Sequence, residues 1–285
     1  MTKTIKALTF CAIILVCALF AAYRIVMSAQ DVNYAPAIHI GERELHVSVN
    51  DDERRLLEGV TAYDEEDGDL TESIILESVS DFISEEGGVC IATYVVVDSD
   101  RNVSKGSRRI VFDDYASPEF TLSKPLVFDY GYAFDVLDPV GAVDCFDGDI
   151  SSTVKMSLIG AESISSAGNY QVKYYVTNSY GDTAEITLPV TIYQRTSAEI
   201  RYQPVIGLSK YLVYLENGDT FRPEAYIESM TINAVPVELT ADMISDIEVA
   251  TNLDVSVPGV YTVEYRYTGD NGYTGTTRQF VVIGE

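Results

Sequence analysis

The stretch GVTAYDEEDGDL, Gly59–Leu70, comes back without a gap 80 residues later as PVGAVDCFDGDI, Pro139–Ile150. At the same offset GVCIATYVVVD (Gly88–Asp98) falls on GNYQVKYYVTN (Gly168–Asn178), and 91 residues further on lies GVYTVEYRYTG (Gly259–Gly269). The final FVVIGE then overlays PVTIYQ, Pro189–Gln194. Self-similarity at a fixed period marks tandem structural units. Three modules of about 80 to 90 residues follow: 34–115, 116–194 and 195–285, preceded by a segment 1–33.

Within the repeats the hydrophobic pattern has period two. Tyr170, Val172, Tyr174 and Val176 share one face against Gln171, Lys173 and Thr177; Tyr261, Val263, Tyr265 and Tyr267 do the same against Thr262, Glu264, Arg266 and Thr268. This alternation is that of a half-buried antiparallel strand. Turn clusters separate such runs: Glu86-Gly87-Gly88, Asn178-Ser179-Tyr180-Gly181, Asn217-Gly218-Asp219 and Asp270-Asn271-Gly272. Several strands in each module, with no long amphipathic helix, imply an all-β chain of tandem sandwiches.

The combination of A-x-D-x-x-D-G-D-[LI] with a later G-x-Y-x-V-x-Y resembles the bacterial immunoglobulin-like modules first named from pesticidal crystal toxins. Modules one and two carry the acidic loop as Asp64, Asp67, Gly68 and Asp69, and as Asp144, Asp147, Gly148 and Asp149. Module three lacks it, and its VSVPGVYTVEYRYTGDNG and NGDTFRPEAYI resemble the related group-3 bacterial immunoglobulin-like domain. The resemblance implies tandem immunoglobulin-like β-sandwiches and is similar at Tyr170 and Tyr261 to the tyrosine corner that opens strand F. Module one has Cys90 at that place, expected to act as a small buried hydrophobe. Cys145 lies in the acidic loop, where neighbouring carboxylates raise a thiol's pKa. Such modules serve as spacers, adhesive units and appendages to enzymes, so the resemblance speaks to fold more than to function.

Charge narrows the partners. There are 19 Lys and Arg against 44 Asp and Glu, a formal net charge of −25, which excludes a nucleic-acid binder because phosphate contacts need a basic footprint. The N-terminal segment reads differently. Lys3 and Lys6 precede the uncharged run Ala7–Ala22, ALTFCAIILVCALFAA; if Arg24 snorkels, the span extends to Met27 and meets the ~20 residues a bilayer needs. One N-terminal transmembrane helix over 7–27 is therefore expected. The N-terminus would be cytoplasmic and the modules extracellular at the cell membrane; if the segment were cleaved near Ala29 as a signal peptide, the protein would be secreted. Neither a sorting signal nor a second anchor is expected at the C-terminal end.

Motifs for chemistry are sparse. No G-x-S-x-G, phosphate loop, C-x-x-C or H-E-x-x-H occurs, and both histidines, His39 and His46, fall in one short stretch and read as surface or strand-edge residues. A non-enzyme is expected, with no required cofactor. The leading expectation is an adhesive or spacer array in protein contact at the cell surface. The alternative is a carbohydrate-binding surface or accessory protein of a polysaccharide-handling system. A glycan platform would draw on Tyr175, Tyr180, Tyr202, Tyr211, Tyr214 and Tyr273, although Trp is absent.

Two site expectations follow. Strand order in such a sandwich would bring the acidic loop of module two (Asp144, Asp147, Asp149) towards the tail of module one (Asp113, Asp114), and clustered carboxylates suit calcium. Asp64, Asp67 and Asp69 with Asp98 and Asp100 form a second candidate set. The competing use of these aspartates is to close turns on backbone N–H groups. Module three has no such loop, so its junction with module two is expected to be metal-free and more flexible. On module one, the register that turns Cys90, Ala92, Tyr94 and Val96 inward leaves Ile91, Val95 and Val97 outside, an apolar interaction patch.

Overall fold

Each module folds with one seven-strand order. The computed structural model describes residues 2–30, 35–84 and 87–284. The first set comprises β1 (Ala37–Ile40), β2 (Glu44–Val47), β3 (Val60–Asp64), β4 (Gly68–Asp69), β5 (Ile75–Val79), β6 (Val89–Val97) and β7 (Val103–Phe112). The second comprises β8 (Glu119–Leu122), β9 (Val127–Asp129), β10 (Val140–Asp144), β11 (Gly148–Asp149), β12 (Lys155–Ile159), β13 (Gly168–Thr177) and β14 (Thr183–Tyr193). The third comprises β15 (Val205–Leu208), β16 (Leu212–Leu215), β17 (Ile227–Ile232), β18 (Val235–Val237), β19 (Glu248–Thr251), β20 (Gly259–Thr268) and β21 (Thr274–Ile283).

In every set a three-stranded sheet faces a four-stranded one: β1-β3-β4 with β2-β7-β6-β5, β8-β10-β11 with β9-β14-β13-β12, and β15-β17-β18 with β16-β21-β20-β19. The first two strands of each set thus lie in different sheets, and β9 and β16 pair parallel with the closing strands β14 and β21. Two packed sheets with a sheet-switching first strand make an immunoglobulin-like sandwich.

The period-two reading fixes which side chains enter. On β6, Cys90, Ala92, Tyr94 and Val96 are buried; on β13, Val172, Tyr174 and Val176; on β20, Val263 and Tyr265. One tyrosine per module therefore sits in the core centre, and each finds a carbonyl for its hydroxyl. Tyr94 Oη donates to Leu56 O at 2.6 Å, Tyr174 Oη to Val136 O at 3.1 Å and Tyr265 Oη to Pro223 O at 3.2 Å. A buried phenol left without a partner costs about 1–3 kcal/mol, so these bonds let a large ring fill the core at no polar penalty. Burial raises the pKa of all three phenols. The tyrosine-corner positions behave separately: Tyr170 Oη donates back to Ser166 O at 3.0 Å and Tyr261 Oη to Val257 O at 2.9 Å. Cys90, in the same place on β6, is fully buried, and burial pushes its thiol up to about 11. His39 and His46 lie exposed on β1 and β2.

The N-terminal α1 runs Thr2–Gln30. Its described side chains span 9–25 apart from 11, and all are exposed, including Phe10, Ile13, Ile14, Leu15, Val16, Leu19 and Phe20. The rest of the expected span over 7–27 lies outside the described side chains, and among the described residues no helix is long and apolar enough to cross a membrane.

The chain divides into two compact units: Met1–Ser80 with Val89–Val111, and Asp81–Gly88 with Phe112–Glu285. The second unit holds both the second and the third sandwich. Their junction differs from the flexible link expected from the missing acidic loop. Leu212 and Phe280, from β16 and β21, are buried in the hydrophobic core of the second sandwich with Leu126, Val190 and Ile192. Polar bonds add to this seam: Tyr214 Oη accepts from Phe120 N at 3.0 Å, and Arg278 Nη1 donates to Thr191 Oγ1 at 2.5 Å. Apolar residues on both faces of β21 leave it two cores to serve, which the acidic-loop pattern does not report.

Candidate functional site

The acidic loops come first, because their residues repeat. Asp64 Oδ1 accepts from the backbone N–H of Glu66 (2.8 Å) and Asp67 (3.0 Å), and Asp144 Oδ1 accepts from Phe146 (2.8 Å) and Asp147 (3.0 Å). Asp67 takes Ser99 N at 2.7 Å, and Asp147 takes Ser179 N at 2.6 Å, which ties each loop to the following β-turn. Asp69 and Asp149 accept from Thr71 N (2.9 Å) and Ser151 N (3.0 Å). Side-chain and backbone bonds from Thr71 and from Ser151 hold these two carboxyls below the usual carboxylate range. The DxxDGD spacing is therefore that of two successive Asx turns, the second leading into a 3₁₀ turn, written twice.

The turn after the central strand is built by a swapped pair. In the first unit Asp98 accepts from Asn102 N and Nδ2, both at 2.7 Å; burial pushes Asp98 up, but bonds from Asn102, Asp100 and Arg101 outweigh it and lower its pKa. In the second unit Asn178 Oδ1 takes Tyr180 N and Asp182 N at 3.0 Å, and its Nδ2 donates to Asp144 Oδ2 at 3.0 Å. Asp100, Asp113 and Asp114 lie exposed in turns. Among the described residues no three or more Asp, Glu, His or Cys side chains come together as around a cation. Asp64, Asp67, Asp69, Asp98, Asp144, Asp147 and Asp149 each accept from backbone N–H groups of these loops and turns.

Beside Asp144 the second unit gathers five aromatic rings: Phe82, Phe112, Tyr115, Phe146 and Tyr180. Phe82 and Tyr180 stack at 5.0 Å, Phe82 and Tyr115 meet edge-on at 4.7 Å, and Phe146 and Tyr180 lie 4.6 Å apart. Phe82 N also donates to Tyr180 O at 2.9 Å. Cys145 Sγ donates to Ala116 O at 3.3 Å, and burial raises its thiol pKa, with Asp144 and Asp114 adding to the rise. Phe82 and Phe146 carried no sign of this role in the sequence, since neither lies on a strand with alternating burial.

The outward row of β6 is partly covered. Ile91 and Val95 are half-buried, while Val97 is 44% exposed. Register places Ile75 opposite Val95 and Val103 opposite Val97, and these two are 62% and 52% exposed. The apolar strip thus extends onto β5 and β7, beyond the three residues read from β6.

The tyrosines considered for a glycan platform separate in space. Tyr180 belongs to the aromatic cluster, Tyr211 packs against both cores of the second unit, and burial pushes Tyr214 up to about 12. Tyr175 lies on β13, opposite Lys155 and Glu185. Tyr202 and Tyr273 approach within 5.9 Å beside a groove of about 560 Å³. Tyr273 lines this groove together with Tyr193, Arg195, Gln203, Arg266 and Thr276. Only Tyr202 and Tyr273 were legible as candidates; the others come from separate strands and a short helix.

No family model matches the chain. Two curated relatives are similar over part of it. The pesticidal crystal protein Cry22Aa of Bacillus thuringiensis is 32% identical over 134 residues, 46% of this chain and 16% of that protein. An uncharacterized 81.3 kDa protein of Acholeplasma phage L2 is 26% identical over 151 residues, 53% of this chain and 19% of that protein. The chain thus spans less than a fifth of either relative. Among solved structures, the CBM51-2 and INT domains of Clostridium perfringens ZmpB, in complex with GlcNAc, are 20% identical with a TM-score of 0.23 and cover 53% of this chain and 26% of theirs. Mouse Cadherin-23 EC22-24 is 14% identical with a TM-score of 0.21, over 88% of this chain and 99% of its own. The immunoglobulin-like architecture rests on the strand order described above and not on these superpositions.

Proposed function

We propose that the chain is a membrane-tethered, exported bacterial surface protein without enzymatic activity, whose immunoglobulin-like modules act as an adhesive or spacer array in protein contact. The observation that carries this reading is the shared core of the second and third sandwiches, where Leu212 and Phe280 lie inside the second module's cluster. A spacer must transmit its length, and a buried apolar seam resists bending far better than a hydrated linker. The polar groups most suggestive of chemistry, the repeated aspartates, spend their oxygens on turn closure. The tether reading draws on α1: Phe10, Ile13, Ile14, Leu15 and Phe20 stand exposed on one helix, a surface that water disfavours by about 25 cal/mol per Å². Lys3 and Lys6 at its start favour a cytoplasmic N-terminus.

Labelling of intact cells with a membrane-impermeant amine reagent and crosslinker tests the reading. Lys105, Lys124 and Lys173 should label before lysis and Lys3 and Lys6 only after it, with a crosslinked envelope protein recovered. Labelling of the module lysines only after lysis would overturn export. Equal labelling of Lys3 would overturn the tether.

A further inference from the structure

We infer that the groove beside Tyr273 in the second unit is a binding site for a neutral saccharide chain. The inference goes beyond the spacer reading, since a spacer needs no ligand and a glycan contact needs no envelope protein.

The groove is fixed by its surroundings. Asn271, in the turn between β20 and β21, donates through Nδ2 to Tyr202 O at 2.9 Å and to Asn233 Oδ1 at 2.7 Å. This ties the hairpin tip to the end of α2 (Ser197–Tyr202), which carries a Thr196/Glu199 capping box. A Cβ at Gly275 would lie 1.8 Å from Pro204 O, so β21 reaches this backbone only because residue 275 has no side chain. Tyr273, Thr274 and Thr276 are thereby held against the groove, which Gln203 also lines. Side chains placed in advance bind without the ordering cost of a mobile loop.

The lining suits a sugar. A pyranose presents apolar C–H faces and a rim of hydroxyls that both donate and accept. Tyr273 offers ring surface; Gln203 and Thr276 offer donors and acceptors together. The volume of about 560 Å³ falls within the range of small-molecule clefts. Charge decides between neutral and acidic chains. Arg195 is spent on Asp129, with Nε to Oδ1 at 2.5 Å and Nη2 to Oδ2 at 2.7 Å, and its guanidinium lies over the Tyr193 ring at 5.1 Å. Arg266 donates to Glu264 Oε1 at 2.8 Å, and Glu199 also lines the groove. Arg278 Nε also meets Glu264, at 3.0 Å, and Arg201 lies over the Tyr202 ring at 5.5 Å. The arginines near the groove are thus largely offset by Asp129, Glu264 and Glu199. On a chain of net charge −25 an anionic polymer gains little here and a neutral chain is favoured.

The test titrates the full chain, in a detergent without a sugar headgroup, with cellohexaose, chitohexaose and mannohexaose, with polygalacturonate as the charged comparison. Saturation-transfer NMR should show at least one neutral hexaose bound. Tyr273→Ala and Gln203→Ala should each weaken it by about tenfold, the usual cost of truncating a central contact. Gln203→Ala guards against misfolding of the tyrosine variant, and melting curves of both should stay near that of the parent. Tyr132→Ala, outside the groove, should bind as the parent does. Absence of binding by every neutral hexaose, equal binding by both groove variants, or stronger binding of polygalacturonate would each overturn the inference.

Discussion

Tyr115 Oη donates to Asp182 Oδ2 at 2.5 Å, joining residues 67 positions apart, and the same oxygen accepts from Asn178 Nδ2 at 3.1 Å. Burial raises the phenol's pKa, and the bond to Asp182 and its charge raise it further. Stability linked to a raised pKa is full below the unfolded value of about 10 and is lost as pH climbs towards the folded value. Tyr94, Tyr174 and Tyr265 shift in the same direction. The melting temperature should therefore fall steeply above about pH 10. Tyr115→Phe should lower stability at neutral pH by about 1–3 kcal/mol and make the alkaline fall shallower. A variant as stable as the parent at both pH values would show that the bond contributes nothing.

Asp144 supplies acceptors to Phe146 N, Asp147 N and Asn178 Nδ2 while only 7% exposed. Asp144→Ala should cost about 2–3 kcal/mol and Asp144→Asn, which keeps an acceptor oxygen, clearly less. Denaturant melts of the two variants check the order. The same turn-closing account expects no heat and no shift in melting with millimolar calcium, whereas a calcium site would show both.

Phe280 is fully buried in the second sandwich's core although its strand closes the third. Phe280→Ala should cost about 3–5 kcal/mol and lower the stability of both sandwiches. Hydrogen exchange should show lost protection on β13 as well as on β20. Loss confined to β20 would mean that the seam does not couple them.

On the outer face of β6, Val95 is half-buried between Ile75 and Lys105. Val95→Lys should destabilise by about 1–3 kcal/mol, while Val97→Lys, at an exposed site, should stay within about 0.5 kcal/mol. If Val97→Lys leaves melting unchanged and abolishes self-association or envelope crosslinking, the strip is a contact surface. Unchanged crosslinking would make it plain surface.

Much of this architecture is legible along the chain. Period-two runs name Cys90, Ala92, Tyr94 and Val96 as inward from their spacing alone, because burial of one sheet face leaves its mark on every second residue. The aspartate spacing reports Asx turns for a similar reason: Asp64 and Asp144 reach N–H groups two and three residues ahead. Local bonds leave local signatures. What a face packs against leaves none. Phe280 lies on the face of β21 opposite Val281 and Ile283, and only tertiary packing supplies the neighbouring module's core to cover it. Phe82 joins Phe146 and Tyr180 across 64 and 98 residues, and Tyr202 meets Tyr273 across 71. Alternation encodes how deeply a side chain is buried, but the choice of partner depends on strand pairing between distant segments, and only the folded chain makes it.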